Sequence, residues 1–260
     1  HRDLHSFPTR RSSDLENFNG YTEHIGAVIP KETTAGTGWR YNNATTTMSD
    51  TIEEDSQKGL VLHLNRSAVT TGADGLLVRS FHWNPDIGLY GTRAMGSFTS
   101  LSMDLKFTQP VGLDSSNIIY LYTGNGVFAS INFKYENNVF VPYYYTRSST
   151  FAKVPNSDNI NMPADGEWFH FEVKANMLSK TYDLYINTKK VSNKAIEFVG
   201  NHAGQTGINM ATFLVDTRYE NCNMYINDLR ATQSSAAWVN ADADLRSEEH
   251  TSELQSPNTI

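Results

Sequence analysis

Residues 166–191, GEWFHFEVKANMLSKTYDLYINTKKV, decide the fold. Phe169, Phe171 and Val173 alternate with His170, Glu172 and Lys174, and then Tyr182, Leu184 and Ile186 alternate with Asp183, Tyr185 and Asn187. A period of two with one apolar side is the mark of a strand that covers a core with one face. Asn187–Lys190 is a polar tight turn that leads to another short strand at Val191. The expectation is an antiparallel, sandwich-like domain whose chemistry lies on strand faces and in loops.

The same stretch resembles the late hairpin of laminin G-like and concanavalin A-like jelly rolls. There a G-x-W-h-x-h-x-h strand, with h apolar, precedes K-T-Y-D-L-Y-I-N. Gly166–Val173 and Lys180–Asn187 fill those two patterns here. In those domains a Gly-Lys turn follows the strand-ending Asn, whereas Thr188 stands at the Gly position in this chain. The resemblance extends in pattern over most of Glu16–Thr232, rests on few fixed residues, and speaks to fold more than to function.

Working outward, Leu101, Met103, Leu105 and Phe107 alternate with Ser102, Asp104 and Lys106, and Leu60, Leu62 and Leu64 alternate with Val61 and His63. Gly124-Asn125-Gly126 and Glu136-Asn137-Asn138 are hairpin turns between apolar-rich segments. Strands are also read at Glu16–Tyr21, Thr37–Tyr41, Leu76–Trp83, Thr206–Asp216 and Cys222–Thr232, with Trp39 a core or cleft aromatic. Residues 42–58 read as a polar surface loop, in which Glu53-Glu54-Asp55 is solvated charge. Roughly a dozen short strands, no long 3.6-residue period and no internal repeat give an all-β class. Its architecture is read as an antiparallel two-sheet β-sandwich, a jelly roll of the concanavalin A-like kind.

The two ends read differently. His1–Leu15 and Arg246–Ile260 fit no pattern in the rest and resemble translated sequencing adapters: adapter codons read in frame yield the first segment entire and the second as far as Ser256. Such scars are set aside in fold reasoning. The expected division is therefore 1–15 adapter-derived and disordered, 16–232 the β-sandwich, 233–245 a linker or tail, and 246–260 adapter-derived and disordered. The expected parent is a longer, secreted or cell-surface bacterial protein, in which neighbouring domains adjoin this one.

Composition excludes several classes. The adapters hold 4 of the 21 basic and 5 of the 28 acidic residues, which leaves 17 and 23, a mildly acidic domain. No basic stripe points to nucleic acid, and no apolar run is long enough to span a membrane. Cys222 is the sole cysteine, so there is no disulfide framework, and a lone strand cysteine reads as a small buried hydrophobe.

Two sets of residues are candidates for function. The first is aromatic. Tyr143 and Tyr145 share one strand face, Tyr120 and Tyr122 share another, and His82 and Trp83 stand near a strand end beside Arg79. Rings on a sheet face stack on the apolar face of a sugar while neighbouring polar groups bond its hydroxyls. The assigned ligand-binding set is Arg79, His82, Trp83, Tyr143 and Tyr145, and the partner is a polysaccharide or oligosaccharide. The second set follows from the resemblance, in which the chain ends pair and supply a calcium site. Glu16-Asn17-Phe18-Asn19 and Tyr225-Ile226-Asn227-Asp228-Leu229 stand in those places, so Glu16, Asn17 and Asp228 are the implied ligands of a structural calcium. Asn17 and Asn227 replace acids there, which weakens such a site.

Catalysis has less to rest on. The E-x-D-x-x-E and E-x-D-x-E patterns of sandwich glucanases are absent, as are Q-I-H and Y-F-K-A-G of alginate lyases. A polysaccharide lyase would draw its base and its neutralising cation from Arg79, His82, His63, Tyr143, Tyr145 and His170. The leading expectation is a non-catalytic carbohydrate-binding or accessory module, with the lyase and a structural or adhesive module as alternatives.

Overall fold

A computed structural model describes residues 12–16, 18–29, 39–42, 48–69, 76–80, 98–109, 113–124, 126–203, 207–216 and 218–234. Strands run in chain order as β1 (Ser12–Glu16), β2 (Trp39–Asn42), β3 (Met48–Asp55), β4 (Gly59–Arg66), β5 (Leu76–Ser80), β6 (Phe98–Thr108), β7 (Ser116–Thr123) and β8 (Gly126–Glu136). They continue as β9 (Val139–Tyr145), β10 (Phe151–Lys153), β11 (Phe169–Asn176), β12 (Thr181–Ile186), β13 (Lys189–Lys190), β14 (Ile196–Glu197), β15 (Met210–Leu214) and β16 (Asn223–Ser234). Short 3-10 turns occupy Asn19–His24 and Ser157–Asn159, and the described residues contain no α-helix. None of the described helical segments is long and apolar enough to cross a membrane.

The strands form two sheets. The first runs β13-β12-β11-β6-β16-β4-β3, with β1 also paired to β16 and β14 to β12; the second runs β10-β9-β8-β7-β15-β5-β2. Every named pairing is antiparallel. Phe171, Val173, Leu184 and Ile186 are fully buried, with Val173 opposite Leu184, as the alternation requires. Phe107 and Phe169 of the first sheet meet Phe133 of the second, with ring centroids 5.1 to 5.6 Å apart. Such tilted aromatic pairs add to the burial energy that holds two sheets face to face. The chain is an all-β jelly-roll sandwich of the concanavalin A-like kind.

Several local readings are corrected. Residues 48–55, read as part of a loop, are strand β3, paired along its length with β4. The apolar alternation is broken because a buried Asp50 sits between Met48 and Ile52, so the inward side does not read as oily. Glu53 and Asp55 are consequently sheet residues rather than free charge. The strand expected at Glu16–Tyr21 ends at Glu16 and gives way to the 3-10 turn. The short strand expected at Val191 is β13, just before it, while Val191 itself is buried.

Ser12–Leu15, expected to be disordered, are extended in β1 against Arg230–Gln233. The reason is an open edge: β4 pairs with β16 only from Asn223 to Ile226, which leaves main-chain groups beyond it to be satisfied. Main-chain pairing makes little demand on side chains. Residues 1–11 and 235–260 lie outside the described residues, so the adapter reading and the domain bounds remain expectations.

Candidate functional site

The face of the second sheet turned away from the core collects the aromatic residues. In β8, Ile131 and Phe133 are fully buried, so the alternation turns Ser130, Asn132 and Lys134 the other way. In β7, Ile119 and Leu121 face inward and Tyr120 and Tyr122 outward. Pairing then builds cross-strand rows. One row reads Thr212, Tyr120, Ser130 and the next Leu214, Ile118, Asn132, Tyr143. Tyr145 stands on the same side of β9 as Tyr143. Thus the two tyrosine pairs, on separate strands in the sequence, share one outer face.

The floor of this face is polar and incompletely bonded. Thr212 is 1% exposed and Ser130 3% exposed, yet Thr212 Oγ1 and Ser130 Oγ have no hydrogen-bond partner among the described residues. Leaving a buried hydroxyl unpaired costs about 1–3 kcal/mol, so native proteins rarely do so without cause. Each hydroxyl can both donate and accept. Asn132, also buried, accepts from Ser116 Oγ at 2.6 Å.

Two of these tyrosines hold their protons more firmly than a free phenol. Burial pushes the Tyr120 phenol upward, and the neighbouring Tyr122 and Tyr145 push it further. Burial also raises Tyr143, helped by the Glu136 carboxylate that accepts its proton at 2.6 Å, to about 12. Lys134 Nζ stands 4.2 Å from the Tyr143 ring centroid. Tyr120 and Tyr143 therefore offer protonated hydroxyls and ring faces.

The remaining candidates scatter. Arg79 lies in β5 in register with Ala211 and Trp39, the row that continues to buried Leu121 and not the Tyr120 row. His82 and Trp83 fall outside the described residues. Ser130 and Thr212 were not singled out from sequence. The alternation of β8 assigns Ser130 a face, but nothing in it announces that Thr212 stands two strands away.

At the chain ends, Glu16 pairs with Leu229, beside Asp228. Asp228 is exposed at φ 45°, where the β16 register slips between Asn227 and Arg230. Asn227 Nδ2 donates to Lys58 O at 3.0 Å, while its buried Oδ1 has no hydrogen-bond partner among the described residues. Asn17 falls outside the described residues. Among the described residues no three His, Cys, Asp or Glu converge as a metal site. The hard oxygens of Asp228 and Asn227 fit calcium in kind.

The outer face of the first sheet has a different character. His63 bonds Glu53 through Nδ1 at 2.6 Å and stacks on Tyr225 at 4.3 Å, while Lys106 pairs with Asp55 and lies 4.4 Å from the Tyr225 ring centroid. Trp168 Nε1 donates to Asp55 at 3.2 Å, and Asp104 takes Lys58 at 2.6 Å and His170 at 2.8 Å. Each of these carboxylates meets a cation or a ring N–H, the pattern of a self-satisfied surface. It also separates His63 and His170 from Tyr143 and Tyr145 by the thickness of the sandwich, so those four do not form one lyase site.

No family model matches the chain, and no curated protein matches it in sequence. Among solved structures it is similar to a sialidase, at 13% identity and TM-score 0.55, over 96% of this chain and 21% of that one. The chain therefore spans about a fifth of the sialidase it matches. An alginate lyase from Pseudomonas aeruginosa aligns at 10% identity over 70% of this chain and 86% of its own, with TM-score 0.47. A botulinum neurotoxin type C structure, described in connection with its interaction with two ganglioside molecules, aligns at 17% identity over 81% and 46%, with TM-score 0.44. The sialidase likeness supports the jelly-roll fold.

Proposed function

We propose that this protein is a non-catalytic glycan-binding module, secreted or displayed at a cell surface, that serves a larger glycan-active protein. The observation that carries the proposal is the row Thr212–Tyr120–Ser130: two buried hydroxyls with no hydrogen-bond partner among the described residues, beside a phenol and flanked by Tyr122, Tyr143 and Tyr145. Sugars present an apolar ring face for stacking and hydroxyls that both donate and accept, which is what rings above a hydroxyl floor serve. The likeness to a sialidase agrees with a glycan setting. A β-elimination needs a base, and neither Tyr120 nor Tyr143 is tuned to be one, since both hold their protons above the ordinary tyrosine range.

The test is a broad glycan array with wild type and Tyr120→Ala. Binding that disappears in the variant, with its melting temperature kept, supports the proposal; no binding on the array rejects it. A structural calcium at Glu16, Asn17 and Asp228 is proposed alongside. Excess calcium should raise the melting temperature and chelator should lower it, because a ligand bound only by the folded state stabilises it. An unchanged melt rejects the ion.

A further inference from the structure

The same sheet carries a second polar cluster that the tyrosine face leaves unused. β7 begins and β8 ends at one margin, with Ser116 opposite Lys134. A depression of about 280 Å³ opens there, lined by Ser115, Lys134, Glu136 and Arg218 among others. Ser115 is 1% exposed, yet its Oγ has no hydrogen-bond partner among the described residues. Lys134 rests its ammonium on the Tyr143 ring and has no carboxylate partner among the described residues. Arg218 is held in place, since Nη2 donates to Asp216 Oδ2 at 2.7 Å and to Asp114 O at 3.3 Å.

Donors and acceptors are interleaved in this depression. Lys134 and Arg218 are balanced by Glu136, Asp114 and Asp216, so the depression does not favour an anion. It suits an uncharged ring carrying several hydroxyls. Tyr122 lies six residues along β7 from Ser116, and at ~3.3 Å per residue that is ~20 Å. Tyr143 lies between, with Lys134 on its ring and Glu136 on its hydroxyl. One sugar ring cannot reach both ends.

We infer that the site takes an internal stretch of a linear, uncharged polysaccharide, laid along β7 and β8 with one part over Tyr120 and Tyr122 and another in the Ser115–Lys134–Arg218 depression. This rests on the glycan reading of the tyrosine face. The experiment is calorimetric titration with cello-, laminari- and xylo-oligosaccharides from disaccharide to hexasaccharide, with alginate fragments of the same lengths as a charged comparison. Affinity should climb with length in one of the neutral series. Ser115→Ala and Lys134→Met should each weaken the hexasaccharide a few-fold to about tenfold, the scale of one hydrogen bond, and leave the disaccharide unchanged. Tyr120→Ala should weaken every length. Melting curves identify a variant that fails to fold, in which case the other decides. Affinity independent of length, or both depression variants binding the hexasaccharide like wild type, overturns the inference while the glycan reading stands. A preference for alginate overturns the uncharged class; binding of no series overturns the inference, and the glycan array then decides whether the glycan reading falls with it.

Discussion

Replacing Thr188 with glycine should stabilise the protein, and the turn geometry sets the size of the gain. Asn187 and Thr188 join β12 to β13 at φ 47° and 69°. The left-handed region costs an ordinary L-residue roughly 1–2 kcal/mol, and a β-branched residue there is an outlier. Glycine removes that strain but gives back about 0.4–1 kcal/mol through its freer unfolded chain. It also deletes the contact from Thr188 Oγ1 to Asn187 O, which is exposed and local. The balance is a gain of about 0.5–1 kcal/mol, or about 1–4 °C in a domain of this size. Asn187 is the internal control. Asparagine tolerates positive φ, and its Oδ1 accepts from the His170 main-chain N–H at 2.9 Å. Asn187→Gly should therefore lower the melting temperature although it sits in the same turn. Scanning calorimetry on both variants reads opposite signs. A Thr188→Gly protein that melts below wild type, or an Asn187→Gly protein that melts above it, would refute the strain argument.

Further outcomes follow from the core and the first sheet. Phe107→Ala removes a fully buried ring that contacts Phe133, Phe140 and Phe169, so it should cost about 3–5 kcal/mol in denaturant unfolding, with Phe107→Leu costing much less. Burial alone would raise the Asp104 carboxyl, but hydrogen bonds and charge from His170 and Lys58 outweigh it and hold the group below its ordinary 3.8. That contribution is complete above the unfolded carboxylate range and is lost as pH falls through the lower folded value. Asp104→Asn should therefore destabilise at neutral pH and show a shallower acid limb; equal slopes for both proteins would remove Asp104 from the account. The Tyr143 phenol should titrate near 12 by ultraviolet absorbance, and Glu136→Gln should bring it down towards the ordinary range. An unmoved titration would mean that Glu136 does not hold that proton.

The hairpin of β11 and β12 was legible because its apolar side is unbroken: Phe169, Phe171, Val173, Tyr182, Leu184 and Ile186 all point inward. The β8–β9 turn was legible because Asn137 and Asn138 tolerate the positive φ, 52° and 67°, that a two-residue hairpin needs. Strand β3 was not, because Asp50 sits on its inward side and periodicity detects oil rather than burial. Tyr143 and Tyr145 were found as aromatic side chains on one strand, but their meeting with Tyr120 and Tyr122 was not predicted.

The amino-acid order by itself determined which residues turn inward along each well-patterned strand, since a period of two depends only on local backbone geometry. It determined the all-β class for the same reason. Which strands lie side by side was decided by the tertiary structure. β7 sits between β8 and β15, whose Met210–Leu214 is far along the chain, and only that order sets Thr212 and Ser130 on either side of Tyr120. It likewise placed Arg79 in the Ala211 row and His63 and His170 on the opposite sheet. Sheet order comes from long-range pairing and from closing the core between two layers, and neither leaves a mark in any single stretch of sequence.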